Sequence, residues 1–305
     1  MNSNAMPTES GSRRNAYRGR FAPSPTGPLH FGSLVAAFGS FLRARSLQGE
    51  WLLRIEDIDG PREVPGAAAA QMETLKRFGL HWDGEVMVQS RRGAAYEAAL
   101  QALRECGALF PCRCSRTQLA ERGGLHHGRC AGDGHGSEAL RVLAPDETIG
   151  FTDVIRGHYE QNLAREVGDF VVRRADGLYA YQLAVVVDDA AQGITEIVRG
   201  ADLLDSTPRQ IHLQRLLGLP HPAYAHLPLA LDAQGRKLGK SQMAIALDDD
   251  DPVPALRAAW RFLGQDETAL PRVEAQVERV VAAAVAAFDP RAIPAQDRAI
   301  AANNG

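Results

Sequence analysis

The chain has 305 residues, of which 45% are hydrophobic and 23% charged, and its formal net charge is −3. These proportions are typical of a globular protein. The slightly negative net charge excludes a uniformly basic nucleic-acid binder. The charge is uneven, however, because residues 10–54 carry seven arginines and one acidic residue. No apolar run approaches the roughly 18 residues of a membrane span, and no signal peptide is recognisable. We therefore expect a cytoplasmic protein without a membrane segment, preceded by a disordered leader over residues 1–16.

The first predicted unit is a strand, a tight turn and a helix. Residues 17–21 suit a strand, and the prolines and glycine of 22–28 forbid regular structure. Helical spacing of apolar residues begins at Ser33. Because the first N–H groups of a helix attract anions, His30, Gly32 and Ser33 form a candidate phosphate site. An ordinary strand-to-helix connection is the alternative.

A second candidate region follows the strand predicted at Trp51–Ile55. Glu56, Asp57 and Asp59 come after it, where the carboxyl ends of strands in open α/β sheets bind ligands. A solvated acidic turn is the alternative, but Glu56 follows the strand immediately, which favours a binding role.

The cysteines indicate a metal site. Cys112 and Cys114 are separated by one residue, Cys130 follows after fifteen more, and His126 lies four residues before Cys130. Three thiolates and one imidazole satisfy tetrahedral Zn²⁺, and one structural zinc could hold together a glycine-rich segment with little core of its own. Free cysteines in a loop are the alternative. Two other histidines compete as the fourth ligand: His127 and His135.

Further elements are predicted from periodicity and turn residues. Helices are expected at Pro65–Gly79, from Ser90 to about Cys106, from Thr207 to about Gly218, around Leu256–Leu263 and at Pro271–Phe288. Residues 131–150 are predicted to be a loop. Strands are expected in a hairpin over 169–174 and 178–187 with an Asp-Gly turn, and at 194–198 and 227–231.

Two groups of basic residues lie near the ends of these later strands. Arg199 follows the strand predicted at 194–198, although an exposed surface arginine would fit the same position. Lys237 and Lys240 lie on a glycine-containing loop and could reach phosphates as mobile point charges. Taken alone, such a stretch is usually only a basic loop.

Together these stretches resemble a known family. The pattern Pro-Ser-Pro-Thr-Gly-x-Leu-His-x-Gly-Ser at 23–33 resembles the first signature of class I aminoacyl-tRNA synthetases, and 237–241 resembles the second, a mobile lysine loop. Residues 54–59, and 197–202 followed by 207–210, look like the glutamyl and glutaminyl branch. Gly239 departs from this pattern, because these enzymes usually carry serine there.

The resemblance extends over about residues 17–264 and implies an α/β fold. The expected architecture is a Rossmann-like doubly wound parallel sheet, with a zinc-containing insertion and a short helical C-terminal region. The expected division is a leader at 1–16, the first half of the catalytic domain at 17–110, an insertion of the acceptor-binding type at 111–190, the second half with the lysine loop at 191–250, and the helical region at 251–305.

The stretch after Ser241 is shorter than a further domain of roughly 100–150 residues, so we expect no anticodon-binding domain. With the cysteine cluster and the segment 178–189, this makes the chain similar to the glutamyl-queuosine tRNA(Asp) synthetases. That resemblance implies activation of L-glutamate by ATP without tRNA, and transfer to queuosine at the first anticodon position of tRNA(Asp).

We expect a monomer. The alternatives are an enzyme that charges a tRNA 3′ end with a separate anticodon-binding partner, and an inactive tRNA-binding module.

The resemblance also implies roles for particular residues. His30, Lys237 and Lys240 are expected to be catalytic, and ATP, accompanied by Mg²⁺, is expected to bind at His30, Gly32, Ser33 and Lys240. A guanidinium can bind the glutamate side chain bidentately, which suits Arg20, and Glu56 suits the ammonium group. The other glutamate-binding residues implied are Phe21, Ala22, Pro23, Ser24, Tyr181 and Arg199.

Overall fold

A computed structural model describes residues 17–121, 123–130, 138–231, 247, 250–272 and 275–299. The predictions for the leader, for His135 and for the lysine loop with Lys237 and Lys240 lie outside these ranges.

Strands and helices of the described residues are numbered in chain order. The strands are β1 (Arg18–Phe21), β2 (Glu50–Ile55), β3 (Met87–Val88), β4 (Leu109–Cys112), β5 (Ala139–Val142), β6 (Thr148–Asp153), β7 (Gly157–Asn162), β8 (Phe170–Arg173), β9 (Glu196–Gly200), β10 (Ala223–Leu227), β11 (Ala230–Leu231) and β12 (Arg298–Ala299). The helices are α1 (Phe31–Ser46), α2 (Ala67–Arg77), α3 (Gly93–Glu105), α4 (Arg116–Glu121), α5 (Leu163–Glu166), α6 (Tyr181–Ala191), α7 (Thr207–Leu217), α8 (Val253–Phe262) and α9 (Val277–Ala287).

The central sheet is parallel and doubly wound. Strands β1, β2 and β3 pair in parallel, as do β9 and β10. The N–H of Thr195 donates to the carbonyl of Arg18 (2.9 Å), and the N–H of Arg18 donates to Oγ1 of Thr195 (2.9 Å), which places β9 beside β1. The order β3-β2-β1-β9-β10 has its topological switch point between β1 and β9, where such sheets bind ligands. The predicted fold class is confirmed.

Each face of the sheet is covered by helices. One hydrophobic core joins α1, α8 and α9 and includes Phe38, Trp51 and Trp260. The other joins α3, α6 and α7 and includes Leu100 and Leu183. Because side chains alternate along a strand, this two-sided packing decides which residues of β1, β2 and β9 face α6 and α7.

The insertion between the two halves of the sheet is mainly antiparallel. Strands β4, β5 and β8 form one small sheet, and β6 pairs with β7 in a hairpin. The prediction that residues 131–150 form a loop is therefore wrong where β5 and the start of β6 lie. The strand predicted at 227–231 is also displaced, since β10 ends at Leu227 and only the two-residue β11 follows.

The predicted hairpin over 169–187 is wrong in its second half. Strand β8 and the turn at Gly177 are present, but the segment continues as helix α6. The run Val185-Val186-Val187 favours a strand by propensity, yet the helix packs in the core with α3 and α7 and buries both Asp188 and Asp189. Burial and ion pairing in the folded chain outweigh a weak local preference.

The remaining predicted helices are present, but α9 begins at Val277 rather than at Pro271, and α3 begins at Gly93 rather than after a cap at Ser90. Ser90 does not cap α3; its N–H and Oγ instead donate to the carboxylate of Asp57, at 2.8 and 2.6 Å. Among the described residues, no helix is both long and apolar enough to cross a membrane.

Candidate functional site

The amino end of α1 is shaped to receive an anion. Nδ1 of His30 accepts the N–H of Ser33 (3.3 Å), and the N–H of His30 donates to Oγ of Ser33 (3.5 Å). This capping box leaves the first-turn N–H groups of Phe31 and Gly32 without a hydrogen bond to the described residues. Since Nδ1 accepts a hydrogen bond, a neutral His30 carries its proton on Nε2. This N–H group can donate a hydrogen bond to a phosphate oxygen.

The turn before α1 is held by a side chain that the sequence did not suggest. Nε2 of Gln71, on α2, donates to the carbonyls of Ser24 (3.1 Å) and Gly27 (2.7 Å). The N–H of Glu56 donates to the carbonyl of Pro23 (3.0 Å). The signature turn is therefore fixed from both α2 and the end of β2.

The residues predicted to bind ligand around this turn differ in what they offer. Phe21 is buried and its ring stacks on Trp51 with centroids 6.2 Å apart, so its side chain belongs to the core. Pro23 is buried, Ala22 is half-buried, and Ser24 is exposed. Only Ser24 presents a polar side chain to a ligand at this point.

Three arginines converge at the carboxyl ends of the parallel strands. Arg20 on β1, Arg54 on β2 and Arg199 on β9 are all buried, and all three face α6 and α7. Placing guanidinium groups out of water is costly unless each is paired and hydrogen-bonded. The partners of these arginines therefore define the site.

Asp189 on α6 joins two of these arginines. Its Oδ1 accepts from Nε of Arg20 (3.0 Å) and from Nη1 of Arg54 (2.8 Å), and its Oδ2 accepts from Nη2 of Arg20 (3.4 Å). Burial alone would raise the pKa of Asp189, but the charges of Arg20 and Arg54 outweigh burial and the pKa is lowered. The pair uses one edge of the Arg20 guanidinium, and Nη1 makes no hydrogen bond within the described residues.

Glu56 completes this charge cluster. Its Oε1 accepts from Nη2 of Arg54 (3.3 Å), and the side chain is 8% exposed. Burial raises the pKa of Glu56, although Arg54 and Arg20 act in the opposite direction. The site thus contains an arginine with an unused nitrogen and a buried carboxylate, and the backbone of Glu56 is bonded to the turn before α1.

The neighbouring carboxylate, Asp188, holds α6 against α3 and the segment before it. Its carboxylate accepts from the hydroxyl of Tyr96 (2.6 Å), from Nε2 of Gln89 (2.8 Å) and from Nε of Arg92 (3.0 Å). The adjacent carboxylates of Asp188 and Asp189 therefore tie α6 to α3 and to the sheet, and fix the position of Asp189.

Arg199 is 5% exposed, which contradicts the alternative that it is a surface arginine. Its donors reach Nε2 of His226 (3.0 Å), Oε1 of Gln210 (2.8 Å), the hydroxyl of Tyr181 (3.5 Å), Oγ1 of Thr207 (2.8 Å) and the carbonyl of Leu203 (3.2 Å). The contact with Tyr181 is the longest, so it is the one that a ligand could replace at least cost.

A buried histidine sets the orientation of Arg199. His226 and Asp153 are both fully buried, and Nδ1 of His226 lies 2.6 Å from Oδ2 of Asp153. Because a guanidinium only donates, Nε2 of His226 must be the acceptor and Nδ1 must carry the proton. Burial lowers the pKa of His226, which keeps the ring neutral and able to accept. No sequence pattern indicated this pair.

The predicted metal ligands meet in the insertion. The ligand atoms of Cys112, Cys114, His126 and Cys130 all lie within 4.8 Å of one another. Tetrahedral bonds of about 2.3 Å place ligand atoms about 3.8 Å apart, so the set has the size of a metal site. Burial and the neighbouring thiols raise the pKa of Cys130 to about 12, and a bound cation would favour its thiolate instead. His127 is exposed and lies outside the cluster.

Asp169 supports the histidine of this cluster. Its Oδ2 lies 3.0 Å from Nδ1 of His126, its N–H donates to the carbonyl of His126 (2.7 Å), and its Oδ1 accepts the N–H of Ala144 (2.8 Å). A carboxylate on the far ring nitrogen is how metal-binding histidines are usually oriented. Asp169 was predicted only as the start of a strand.

The chain is similar to known proteins over most of its length. The family model for the catalytic domain of class I tRNA synthetases (E and Q) matches residues 16–132 and 126–270. The glutamyl-Q tRNA(Asp) synthetase of Xanthomonas axonopodis pv. citri is 60% identical over 280 residues, which cover 92% of this chain and 93% of the relative. The protein of the same name from Pseudomonas putida KT2440 is 53% identical over 281 residues, 92% and 93% of the two chains.

Solved structures show the same fold. The glutamate-tRNA synthetase of Elizabethkingia anophelis aligns with a TM-score of 0.79 at 24% identity, over 94% of this chain and 68% of that chain. A glutamate tRNA ligase from Elizabethkingia meningosepticum, solved in complex with its amino acid, aligns equally well.

The role of Asp169 can be tested by metal binding. Asp169→Asn removes the charge behind His126, and we expect the affinity for Zn²⁺ to fall by about 10- to 100-fold, measured by competition with a chromophoric chelator. Asp146→Asn is the matched control, because Asp146 pairs with exposed groups of Arg165 and Asn162. Equal affinities of the two variants would contradict the assigned role.

Proposed function

Because the chain belongs to the family of class I tRNA synthetase catalytic domains of the glutamyl and glutaminyl type, we propose that it activates L-glutamate with ATP and transfers it to queuosine in tRNA(Asp). It is an aminoacyl-tRNA synthetase-type ligase. The observation that carries the proposal is the buried cluster of Arg20, Asp189, Arg54 and Glu56 beside the anion-binding end of α1. The names of the relatives supply the acceptor.

Glutamate requires one cation for its side chain and one anion for its ammonium group. The edge of Arg20 formed by Nη1 and the second N–H of Nη2 is available for the side-chain carboxylate, since Asp189 takes the edge formed by Nε and Nη2. Glu56 is the carboxylate available for the ammonium. Tyr181 and Arg199 close the pocket, where a carboxylate oxygen can replace their 3.5 Å contact. A bidentate grip by Arg20 stays open in this proposal, because Nη1 and the second N–H of Nη2 form an edge that Asp189 does not use.

ATP occupies the neighbouring end of α1 in this proposal. The N–H groups of Phe31 and Gly32, together with Nε2 of His30, suit phosphate oxygens. Lys237 and Lys240 bring positive charge to the leaving pyrophosphate, and Mg²⁺ accompanies the nucleotide. The proposal for the lysines rests on the sequence alone.

The first step needs no general base. An oxygen of the ionised α-carboxylate of glutamate attacks the α-phosphorus of ATP, and the bond to pyrophosphate breaks. The protein contributes by positioning two anions and by stabilising the negative charge that they bring together. In the second step a ring hydroxyl of queuosine attacks the carbonyl carbon of the adenylate. The new ester forms, AMP leaves, and the hydroxyl proton is released.

A structural zinc in the insertion completes the proposal. Three thiolates and one imidazole fit tetrahedral Zn²⁺, and four protein ligands leave no open position for substrate, which suits a structural role. The metal would fix β4 against the segment that carries His126 and Cys130. No step of the reaction passes through it.

The decisive experiment compares tRNA(Asp) that contains queuosine with an unmodified transcript. We expect labelled glutamate to be transferred only to the modified tRNA, and glutamate-dependent ATP–pyrophosphate exchange to proceed without any tRNA. Lys240→Ala serves as the inactive control for both assays. Charging of the unmodified transcript would instead support an enzyme of tRNA 3′ ends, and absence of both exchange and transfer to either tRNA would leave only a binding module.

Arg20 can be tested with a change that keeps its charge. Arg20→Lys loses the paired Nε and Nη2 contacts with Asp189, so we expect the KM for glutamate in the exchange assay to rise roughly tenfold or more. Arg18→Lys is the matched control on the same strand, because Arg18 pairs with Glu50 on a partly exposed surface. An unchanged KM in Arg20→Lys would remove Arg20 from the glutamate pocket.

His226 predicts a dependence on pH. Burial lowers its pKa, so the ring stays neutral at pH 7 and gains a proton only below its ordinary value of about 6.5. A protonated His226 has no acceptor at Nε2 for Arg199 and places a second positive charge beside that arginine. We therefore expect the KM for glutamate to rise as the pH falls below about 6.5. His226→Phe should have a raised KM without that pH dependence, whereas exposed His158→Phe should behave as wild type. A pH profile shared by all three proteins would contradict the role.

A further inference from the structure

A cavity of about 670 Å³ lies beside the signature turn and is not part of the glutamate or ATP site. Its floor is apolar and includes Ile55, Met72 and Val88. Its polar lining consists of Asp57, Glu63 and Arg91. Pockets of 300–1,000 Å³ that combine an apolar floor with few polar groups are those that take small organic molecules.

The cavity adjoins the charge cluster through a short stretch of backbone. Ile55 and Asp57 flank Glu56, and Pro25, which also lines the cavity, follows Ser24. Since side chains alternate along β2, Ile55 points to the side opposite Arg54 and Glu56. The N–H of Val64 donates to the carbonyl of Pro25 (2.9 Å), which ties this side of the cavity to the signature turn. A ligand in the cavity would therefore lie one layer of backbone away from the activated glutamate.

The charge around the cavity favours a cationic ligand. Asp57 and Glu63 lie in its wall. Burial raises the pKa of Glu63, and the negative charges of Asp57 and Asp59 raise it further. The two carboxylates of Asp57 and Glu63 outnumber the one arginine of the lining, so the wall carries an excess of negative charge. The lining also includes Arg91, whose exposed side chain suits a phosphate of a bound polynucleotide. Val64, which is 48% exposed, adds apolar surface at the same place.

We propose that this cavity receives the queuosine base of the acceptor tRNA, with its floor against the base and Glu63 near the base's secondary ammonium group. The inference rests on the proposed function. Queuosine combines the properties that the cavity complements, because it is a flat deazapurine with an amine-linked, dihydroxylated five-membered ring. The side arm extends from the base, so a base held in the cavity can carry its ring hydroxyls past residues 55–57 to the adenylate. The acidic lining then distinguishes queuosine from guanine, which has no ammonium group.

The test separates the two half-reactions. Ala68→Trp fills the cavity from α2, whereas Ala69→Trp places the same side chain on the exposed neighbouring position of that helix. We expect Ala68→Trp to keep glutamate-dependent ATP–pyrophosphate exchange within about twofold of wild type, and to lose transfer to queuosine-containing tRNA(Asp) by a factor of roughly ten or more in kcat/KM. Ala69→Trp should resemble wild type in both assays.

Two further variants keep the proposal falsifiable if Ala68→Trp fails to fold. Gly60→Trp obstructs the cavity from a position where an added Cβ meets no atom within 4 Å, and it should have the same split phenotype. Glu63→Gln should raise the KM for modified tRNA roughly tenfold, the loss expected of a charge-assisted hydrogen bond. Glu73→Gln, on the exposed face of α2, is its control.

The outcomes are distinct. Normal transfer by Gly60→Trp and Glu63→Gln would overturn the assignment of the cavity and leave the proposed function intact. Equal weakening of the binding of unmodified transcript would show that the cavity holds another nucleotide, which also overturns it. Failure of the wild-type protein to transfer glutamate to modified tRNA would instead overturn the proposed function.

Discussion

The site depends on one buried carboxylate. Asp189 lies between Arg20 and Arg54, within 3.0 Å of both, in the layer between the sheet and α6. Without it, Arg20 would lose its carboxylate partner in the interior and Arg54 would keep only Glu56, at a cost of several kcal/mol. Because this ion pair holds β1, β2 and α6 together, it also decides which edge of Arg20 is left for a ligand. The position of the proposed glutamate pocket follows from that choice.

The same principle recurs at each proposed binding group. His30 is fixed by Ser33, Arg199 by His226 and Asp153, and His126 by Asp169. Because these contacts already hold the side chains in one orientation, the side chains lose little conformational entropy when a ligand binds. A reaction that requires positioning and charge stabilisation more than proton transfer benefits most from such rigidity.

The insertion contributes to more than the metal cluster. Asp153, at the end of β6, accepts the backbone N–H of His226 on β10 as well as its ring. Asp169, just before β8, supports the metal cluster. Two carboxylates of the insertion therefore connect it to the catalytic half of the fold and to its own metal ligands. Through Asp153 and His226, the orientation of Arg199 depends on the position of the insertion.

The sequence by itself determined the class of the fold, the turn that leads into α1, and the grouping of the three cysteines with His126, and it proposed roles for Arg20 and Glu56. These features depend on local spacing, turn residues and motifs, which a single chain displays directly. Sequence reasoning placed α6 in a strand, because three consecutive valines favour a strand locally and the burial that opposes them is not visible in the sequence. It therefore missed Asp189. Only the tertiary structure brought Asp189 to Arg20, His226 to Arg199, and the walls of the cavity together, since each contact joins segments distant along the chain whose approach is decided by packing.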